Sequence, residues 1–407
     1  MPDPINTRCC IAGGGPAGMM LGFLLARAGV GVVVLEKHTD FLRDFRGDTI
    51  HPSTLEIMHE LGLLEAFLRL PHQELRTLTG LVGDTRVALA DFTHLPTRCK
   101  FVALMPQWDF LNFMAERAKT YPAFKLMMGA EATDLLFSGE RVTGCRVQTP
   151  DGLIDIRAEI TIGADGRHSK VRARANLPVR DLGAPMDVLW MRISRRVSDP
   201  AEALGRIEAG RMLVMIDRGD YWQCAFVIPK GSADHVRQRG LLEFRSTIRD
   251  LAPWVGERVD ELKTWDDIKL LTVAVDRLTR WYRPGLLCIG DAAHAMSPIG
   301  GVGINLAIQD AVAAANILAV PLRAHAMAPH YLRAVQKRRE WPTRVTQAIQ
   351  VFVQNRVIAR ALGSTQKPTP PLAAKLLNWV PWLRRIPARL LGLGIRPEHV
   401  RTPEAVP

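Results

Sequence analysis

The chain turns apolar within residues 7–12, after Thr7 and Arg8, breaks at three glycines, resumes its apolar residues at helical spacing over residues 19–27, and is apolar again over 30–35 apart from Gly31. A buried strand, a glycine turn, a helix stopped at Gly29 and a second buried strand are predicted. Strand, helix and strand within about 30 residues form a βαβ unit whose strands are covered on both faces. Further on, residues 54–70, with Ser53 as N-cap, and 110–120 read as helices. Residues 75–102 alternate weakly and predict short strands. Residues 125–136, 141–149 and 153–162 read as strands, the last two joined by the turn Pro150-Asp151-Gly152. Strands are also expected at 188–195, 212–216 and 222–228, then a helix over 236–251 and a short buried strand at 286–289. A long small-residue helix covers 303–318, and beyond Pro329 the chain is mostly helical, interrupted by a loop at 363–371.

The strands between 180 and 275 lack helical crossovers, so they predict an antiparallel sheet set into an α/β frame. The expected fold is therefore a Rossmann-like α/β domain with an inserted, mostly antiparallel β-sheet domain and a helical C-terminal region. Residues 1–75, 100–180 and 276–345 are assigned to the first, 76–99 and 181–275 to the second, and 346–407 to the third. The length of 407 residues suits two packed domains.

The first glycine segment, Gly13-Gly14-Gly15-Pro16-Ala17-Gly18, fits G-x-G-x-x-G between strand and helix. The first glycine allows the tight turn, Gly15 lets backbone approach a diphosphate, and Gly18 lets helix and strand pack closely. The helix N-terminus offers N–H groups to the anion. Glu36, followed by Lys37, ends the second strand where a carboxylate can accept ribose hydroxyls. This segment binds an adenine dinucleotide without choosing between FAD and NAD.

A second segment, Gly290-Asp291-Ala292-Ala293-His294-Ala295-Met296-Ser297-Pro298-Ile299-Gly300-Gly301-Val302-Gly303-Ile304-Asn305, follows a buried strand and opens a helix. It resembles the GD motif of group A flavoprotein monooxygenases, the p-hydroxybenzoate hydroxylase family. The resemblance gives Asp291 to the flavin ribityl chain and Pro298, Gly301, Gly303, Ile304 and Asn305 to the isoalloxazine. A helix N-terminus there would stabilise the anionic reduced flavin. His294 reads as structural. The segment Gly163-Ala164-Asp165-Gly166-Arg167-His168-Ser169-Lys170-Val171-Arg172 resembles the DG motif of the same family, with Asp165 and Gly166 near the FAD diphosphate and the nicotinamide cofactor. Arg167, Ser169 and Arg172 lie nearby, and an arginine suits a diphosphate. Arg46 falls where the family places an arginine near FAD, although Asp48 departs from the small or apolar residue common there. Gln107 matches a glutamine or arginine that reaches the flavin side chain.

The resemblance covers roughly residues 5–345 and implies that the Rossmann-like domain is a GR2-type FAD-binding domain, that the inserted β-sheet is the substrate domain, and that the chain is an NAD(P)H-dependent aromatic hydroxylase. NADH or NADPH reduces FAD, O2 gives a flavin C4a-hydroperoxide, and one oxygen enters an electron-rich, lipophilic organic substrate. Pro298 and Arg46 supply the flavin environment, and no side-chain base is assigned. The W-x-W-x-I-P signature of flavin-dependent halogenases is absent; the nearest segment, Trp222 to Pro229, lacks its second tryptophan. A flavin-dependent reductase of an isoprenoid or other unsaturated substrate and a non-catalytic flavin-binding scaffold stay open as alternatives. In the inserted sheet, Met186, Met191, Met212, Met215, Trp190, Tyr221, Trp222 and Phe226 either line an apolar pocket or form core. Arg192 either pairs with an acidic or phenolate substrate or is a surface residue.

Composition adds three points. The six cysteines form no C-x-x-C pair and read as buried thiols of a reducing cytoplasm; no metal site is expected. No secretory leader and no uninterrupted run of about 18 apolar residues is visible. The net charge of +12 is lopsided: residues 333–407 hold 14 Lys and Arg against 3 Asp and Glu, 14 − 3 = +11. Without a recognition motif this does not indicate nucleic acid. It is either a solvated basic face or, through the amphipathic stretch 372–393 with Trp379 and Trp382, a peripheral membrane contact. A monomer or a homodimer is expected.

Overall fold

The computed structural model describes residues 3–42, 49–200 and 204–405. The opening βαβ unit forms as its hydrophobic pattern requires: strand Ile5–Ala12, helix Pro16–Arg27 and strand Val32–Glu36. They belong to a sheet ordered Tyr282–Arg283, Leu286–Cys288, Gly152–Gly163, Ile5–Ala12, Val32–Glu36, Phe124–Met128. The last five are mutually parallel, and Tyr282–Arg283 runs antiparallel at the edge. Arg141–Thr149 and Glu131–Ser138 add an antiparallel extension. Helix Pro16–Arg27 is buried on almost every side because it lies between this sheet and helices Gln107–Ala118 and Val302–Arg323.

A second sheet of seven strands is ordered Lys269–Leu271, Met186–Ser194, Tyr221–Pro229, Arg211–Asp217, Leu204–Glu208, Thr77–Val82, Thr85–Asp91. All neighbours are antiparallel except the parallel pair Leu204–Glu208 with Thr77–Val82. Side chains alternate across it. One face carries Leu189, Met191, Ile193, Leu213, Met215, Trp222, Cys224, Phe226 and Ile228, packed under helices Ala233–Arg239 and Leu241–Leu251. The other carries Met186, Val188, Trp190, Met212, Val214, Ala225 and Val227.

Three predicted elements are each split in two. Residues 54–70 form Pro52–Glu60, capped by His51 and not Ser53, and Leu64–Phe67. Residues 125–136 divide at Gly129 and 236–251 at Gly240, both with positive φ that continues neither strand nor helix. Among the described residues one helix, Ile299–Arg323, is apolar enough to cross a membrane, with mean hydropathy 1.4. Its most apolar window is 78% buried inside the protein, and Asn305, Gln309, Asp310 and Asn316 interrupt it.

Candidate active site

Four parallel strands end level with one another. Ala12 pairs with Leu35 and with Gly163, and Gly163 pairs with Cys288. The three glycine-rich segments and Glu36 therefore leave the sheet at its C-terminal edge, where open α/β sheets bind ligands.

Gly13 has φ +109, and a Cβ there would lie 2.2 Å from the Ala164 carbonyl oxygen and 2.8 Å from the Asp165 nitrogen. A Cβ on Gly18 would lie 1.9 Å from the Gly13 carbonyl oxygen. These two glycines are required by close packing. Gly15 is different: its φ of −73° suits any residue, and nothing lies within 4 Å of where its Cβ would be. It N-caps the Pro16–Arg27 helix, and no side chain caps that helix. The N–H groups of Ala17 and Gly18 thus receive no side-chain cap, and the space beside them at Gly15 is open, as an incoming diphosphate requires. Pro16 at the first helical position donates nothing and fixes the entry angle. Glu36 accepts hydrogen bonds from the Gly14 nitrogen (Oε2, 3.1 Å) and the His38 nitrogen (Oε1, 3.1 Å), and Lys37 is exposed beside it.

The DG segment leans on this turn. The Asp165 carboxylate accepts from the Ser169 hydroxyl and from the Val171 nitrogen (3.1 Å). Burial raises its pKa, opposed by these bonds. Asp165 therefore orders its own loop, with Gly166 at φ +83 beside it. Arg172 is engaged elsewhere, donating to Asp276 at 3.2 and 3.1 Å, so the diphosphate partner suggested for it is Asp276 instead. Arg167 does reach the next motif: its Nη2 lies 3.7 Å from Asp291 Oδ2.

Gly290 has φ +58, and a Cβ there would touch those of Ala17 and Ala307 at 3.2 Å, so the GD turn seats against both the first helix and Val302–Arg323. Pro298, Ile299 and Gly301 ahead of that helix and Gly303 and Ile304 in its first turn are partly exposed. The helix starts at Gly301 without a side-chain cap or acidic first turn, leaving its first N–H groups for a ligand. Asn305 is not among the exposed residues. It is buried, its Oδ1 accepting from the His51 nitrogen (2.8 Å) and Thr54 hydroxyl (2.7 Å) and its Nδ2 donating to the Thr49 carbonyl (3.1 Å). Its amide is consumed in clamping residues 49–54 to the helix start, so the ring contact suggested by resemblance is indirect. Gln107 opens helix Gln107–Ala118 and is half-buried. Arg46 and Asp48 lie outside the described residues.

The second sheet presents its apolar face to the loop at Ile299, which packs against Met186, Val227 and Ile358. Met212 lies on that same face and, with Leu362, packs against the same cluster. Trp222 does not: it is fully buried on the opposite face, its indole nitrogen donating to Asp199 at 2.8 Å. Met191, Met215 and Phe226 share that helix-covered face and are core. Arg192 stacks over Tyr221 at 4.9 Å; it pairs with Gln223, four residues along the strand from Val227, roughly 13 Å away at 3.3 Å per residue.

Two supporting networks are not visible in any motif. Behind the GD turn, Asp310 accepts from the Gly290 nitrogen (3.1 Å) and Arg339 Nε (2.9 Å) and lies 2.6 Å from His294 Nε2; Arg339 also reaches Glu398 (3.2 Å). Burial alone would raise the Asp310 carboxyl, but His294 and Arg339 hold it below its ordinary value. Along helix Pro329–Val353 and its continuation, Gln347, Gln350 and Gln354 bond to Ala295, Ser297 and Ile299 and fix the ring loop. Three glutamines on one helix face among basic residues are the sequence trace of this ladder.

His51 ties the same loop to the C-terminus, its Nδ1 2.6 Å from the Leu391 carbonyl oxygen. Burial lowers its pKa from 6.5 to about 4. The folded state keeps His51 neutral while the unfolded chain protonates it, so its contribution is complete above pH 6.5 and is lost as pH falls towards 4. Urea denaturation should find the protein roughly 2 kcal/mol less stable at pH 5 than at pH 7 on this account alone. His51→Gln should remove that part of the slope; an unchanged slope would exclude His51 as its source.

The family model described as "FAD binding domain" matches residues 6–349. The 6-methylpretetramide 4-monooxygenase of Streptomyces rimosus is 32% identical over 403 residues, covering 98% of this chain and 95% of that enzyme. An uncharacterised aromatic compound monooxygenase of Bacillus subtilis (strain 168) is 28% identical, over 74% of this chain and 59% of its own length. The crystal structure of p-nitrophenol 4-monooxygenase from Pseudomonas putida DLL-E4 superposes with a TM-score of 0.75 at 20% identity, covering 97% of this chain and all of that one.

Proposed function

The chain belongs to the FAD binding domain family, and on that premise we propose that it is an FAD-dependent monooxygenase that consumes NADH or NADPH and O2 and hydroxylates an aromatic or similarly electron-rich, lipophilic molecule. The observation that carries this reading is the convergence of two uncapped helix starts, at Gly15 and Gly301, on one edge of the parallel sheet, with an apolar sheet face beside the second. Those features fit FAD: the open space at Gly15 suits its diphosphate, and the row Pro298 to Ile304 suits its ring.

When bound, FAD supplies the redox chemistry, accepting reducing equivalents and activating O2. The protein's part is placement and electrostatics. The N–H groups of Ala17 and Gly18 would hold the diphosphate, Glu36 holds the glycine turn through the Gly14 nitrogen, and Asp291, facing Arg167, would hold the ribityl chain. The uncapped N–H groups at the start of Val302–Arg323 would favour negative charge on the reduced ring. Met186, Met212 and Val227 give the sheet an apolar surface beside Ile299, which would keep water away from the bound ring and so limit side reactions. No side chain is assigned as a base, so the substrate brings its own electron-rich ring.

The test is a screen of phenolic and polycyclic aromatic compounds that follows NADH or NADPH oxidation, O2 uptake and hydrogen peroxide release together. A true substrate should couple consumption to a product that carries one atom from 18O2. Anaerobic reduction of a double bond would support the reductase instead. FAD binding without oxidation of either nicotinamide would support the scaffold.

A further inference from the structure

The C-terminal segment turns its apolar side outwards. Helix Leu372–Trp379, the turn Pro381–Arg384 and helix Arg385–Gly392 are seated by small residues, Ala374, Ala388 and Gly392, together with Leu391 and Leu393. Asn378 anchors the first helix, donating to the Arg86 carbonyl at 2.8 Å and accepting from the Ala88 nitrogen at 3.0 Å on the edge strand. The large apolar residues take no part in this. Leu372 is 75% exposed, Leu376 45%, Trp379 72%, Trp382 61%, Ile386 54% and Leu390 39%. Leu372, Leu376 and Trp379, spaced four and three apart, form an exposed stripe on the first helix, and Trp382, Ile386 and Leu390, spaced four and four apart, form one along the turn and the second helix. The two tryptophans therefore do not fasten the segment to the protein.

Charge identifies what the stripes meet. Lys375, Arg385 and Arg389 are exposed beside them, and no ion pair holds any of these cations among the described residues. Residues 341–397 contain nine Lys and Arg and no Asp or Glu. Apolar rows with tryptophans, flanked by cations and free of carboxylates, match the boundary between acyl chains and anionic headgroups. We propose that this face docks the protein on an anionic lipid surface.

The inner side of the same segment bears on the candidate active site. Leu391 packs against the cluster that contains Phe92, Leu95, Val102 and Leu104, and a Cβ on Gly300 would lie 2.7 Å from its Cδ2. Docking sets the flavin-ring loop one helix thickness from the bilayer. Resting on the monooxygenase reading, this assigns the substrate to lipophilic rings that partition into membranes. Docking itself needs no catalysis.

The experiment uses the full-length, FAD-loaded protein with vesicles of phosphatidylcholine alone or mixed equally with phosphatidylglycerol. Co-sedimentation is measured at low and high salt, and tryptophan quenching by brominated acyl chains reports insertion. Binding to anionic vesicles at low salt is expected, at least tenfold weaker with phosphatidylcholine alone or at high salt. The double variant Trp379→Ser, Trp382→Ser should weaken it at least tenfold while keeping its flavin and its circular dichroism. Failure to sediment with anionic vesicles at low salt would overturn the proposal. So would binding that the double variant retains in full, which marks non-specific adhesion of a basic protein. A dimer in sedimentation equilibrium that the double variant abolishes, without vesicle binding, would give the stripes to a second copy of the chain. Loss of aromatic turnover with vesicle binding intact would count against the catalytic reading alone.

Discussion

Gly15→Val should yield a folded protein that binds FAD at least about 100-fold more weakly, a loss of roughly 3 kcal/mol. The backbone at Gly15 is extended, so valine introduces no strain, and no atom lies within 4 Å of its Cβ. The apoprotein should keep its circular dichroism and its cooperative unfolding. The emptiness around Gly15 is where a diphosphate must come close to backbone N–H groups, and two methyl groups would fill it. Gly18→Ala should behave otherwise, because its Cβ would sit 1.9 Å from a backbone oxygen. That variant should lose stability as well as flavin. The pair separates a glycine kept for a ligand from a glycine kept for packing. Equal FAD affinity in Gly15→Val and the parent would remove the diphosphate from this turn.

The largest stability effect is expected at Arg339. Its side chain is fully buried between Asp310 and Glu398, which are themselves 0% and 4% exposed. Arg339→Met preserves the packing of the stem and leaves two buried carboxylates short of a partner. Breaking one member of such a network costs roughly 3–5 kcal/mol. Asp310 also receives the Gly290 nitrogen, so the GD turn should loosen and FAD affinity should fall in the same variant. Urea denaturation checks the first effect and a flavin titration the second. A destabilisation below about 1 kcal/mol would mean that His294 and Arg338 satisfy the carboxylates unaided.

Much of this fold is legible because it rests on local rules. The continuous apolar runs around Ile11 and Val34 could only be doubly covered strands, and the glycine turn between them fixed the start of the helix. The faces of the second sheet were harder. Met212 and Trp222 look alike in sequence as large apolar strand residues, and only the pairing register sends them to opposite sides. The partners of two motif residues were also hidden. Asn305 and Arg172 stand in the right motifs, yet neighbours distant in sequence, Thr49 and Asp276, take their hydrogen bonds. The Arg339 network had no local signature, since its members come from three elements 29 to 88 residues apart. Long-range polar pairing of this kind leaves no periodicity to read.

The account's central claim is that the turns at Gly15 and Gly301 share one FAD. The most direct measurement is a titration of the apoprotein with FAD, followed by quenching of flavin fluorescence. Saturation at one FAD per chain, abolished by Gly15→Val in a protein that stays folded, is the predicted result. A natively folded parent protein that leaves flavin fluorescence unchanged at every concentration would contradict it.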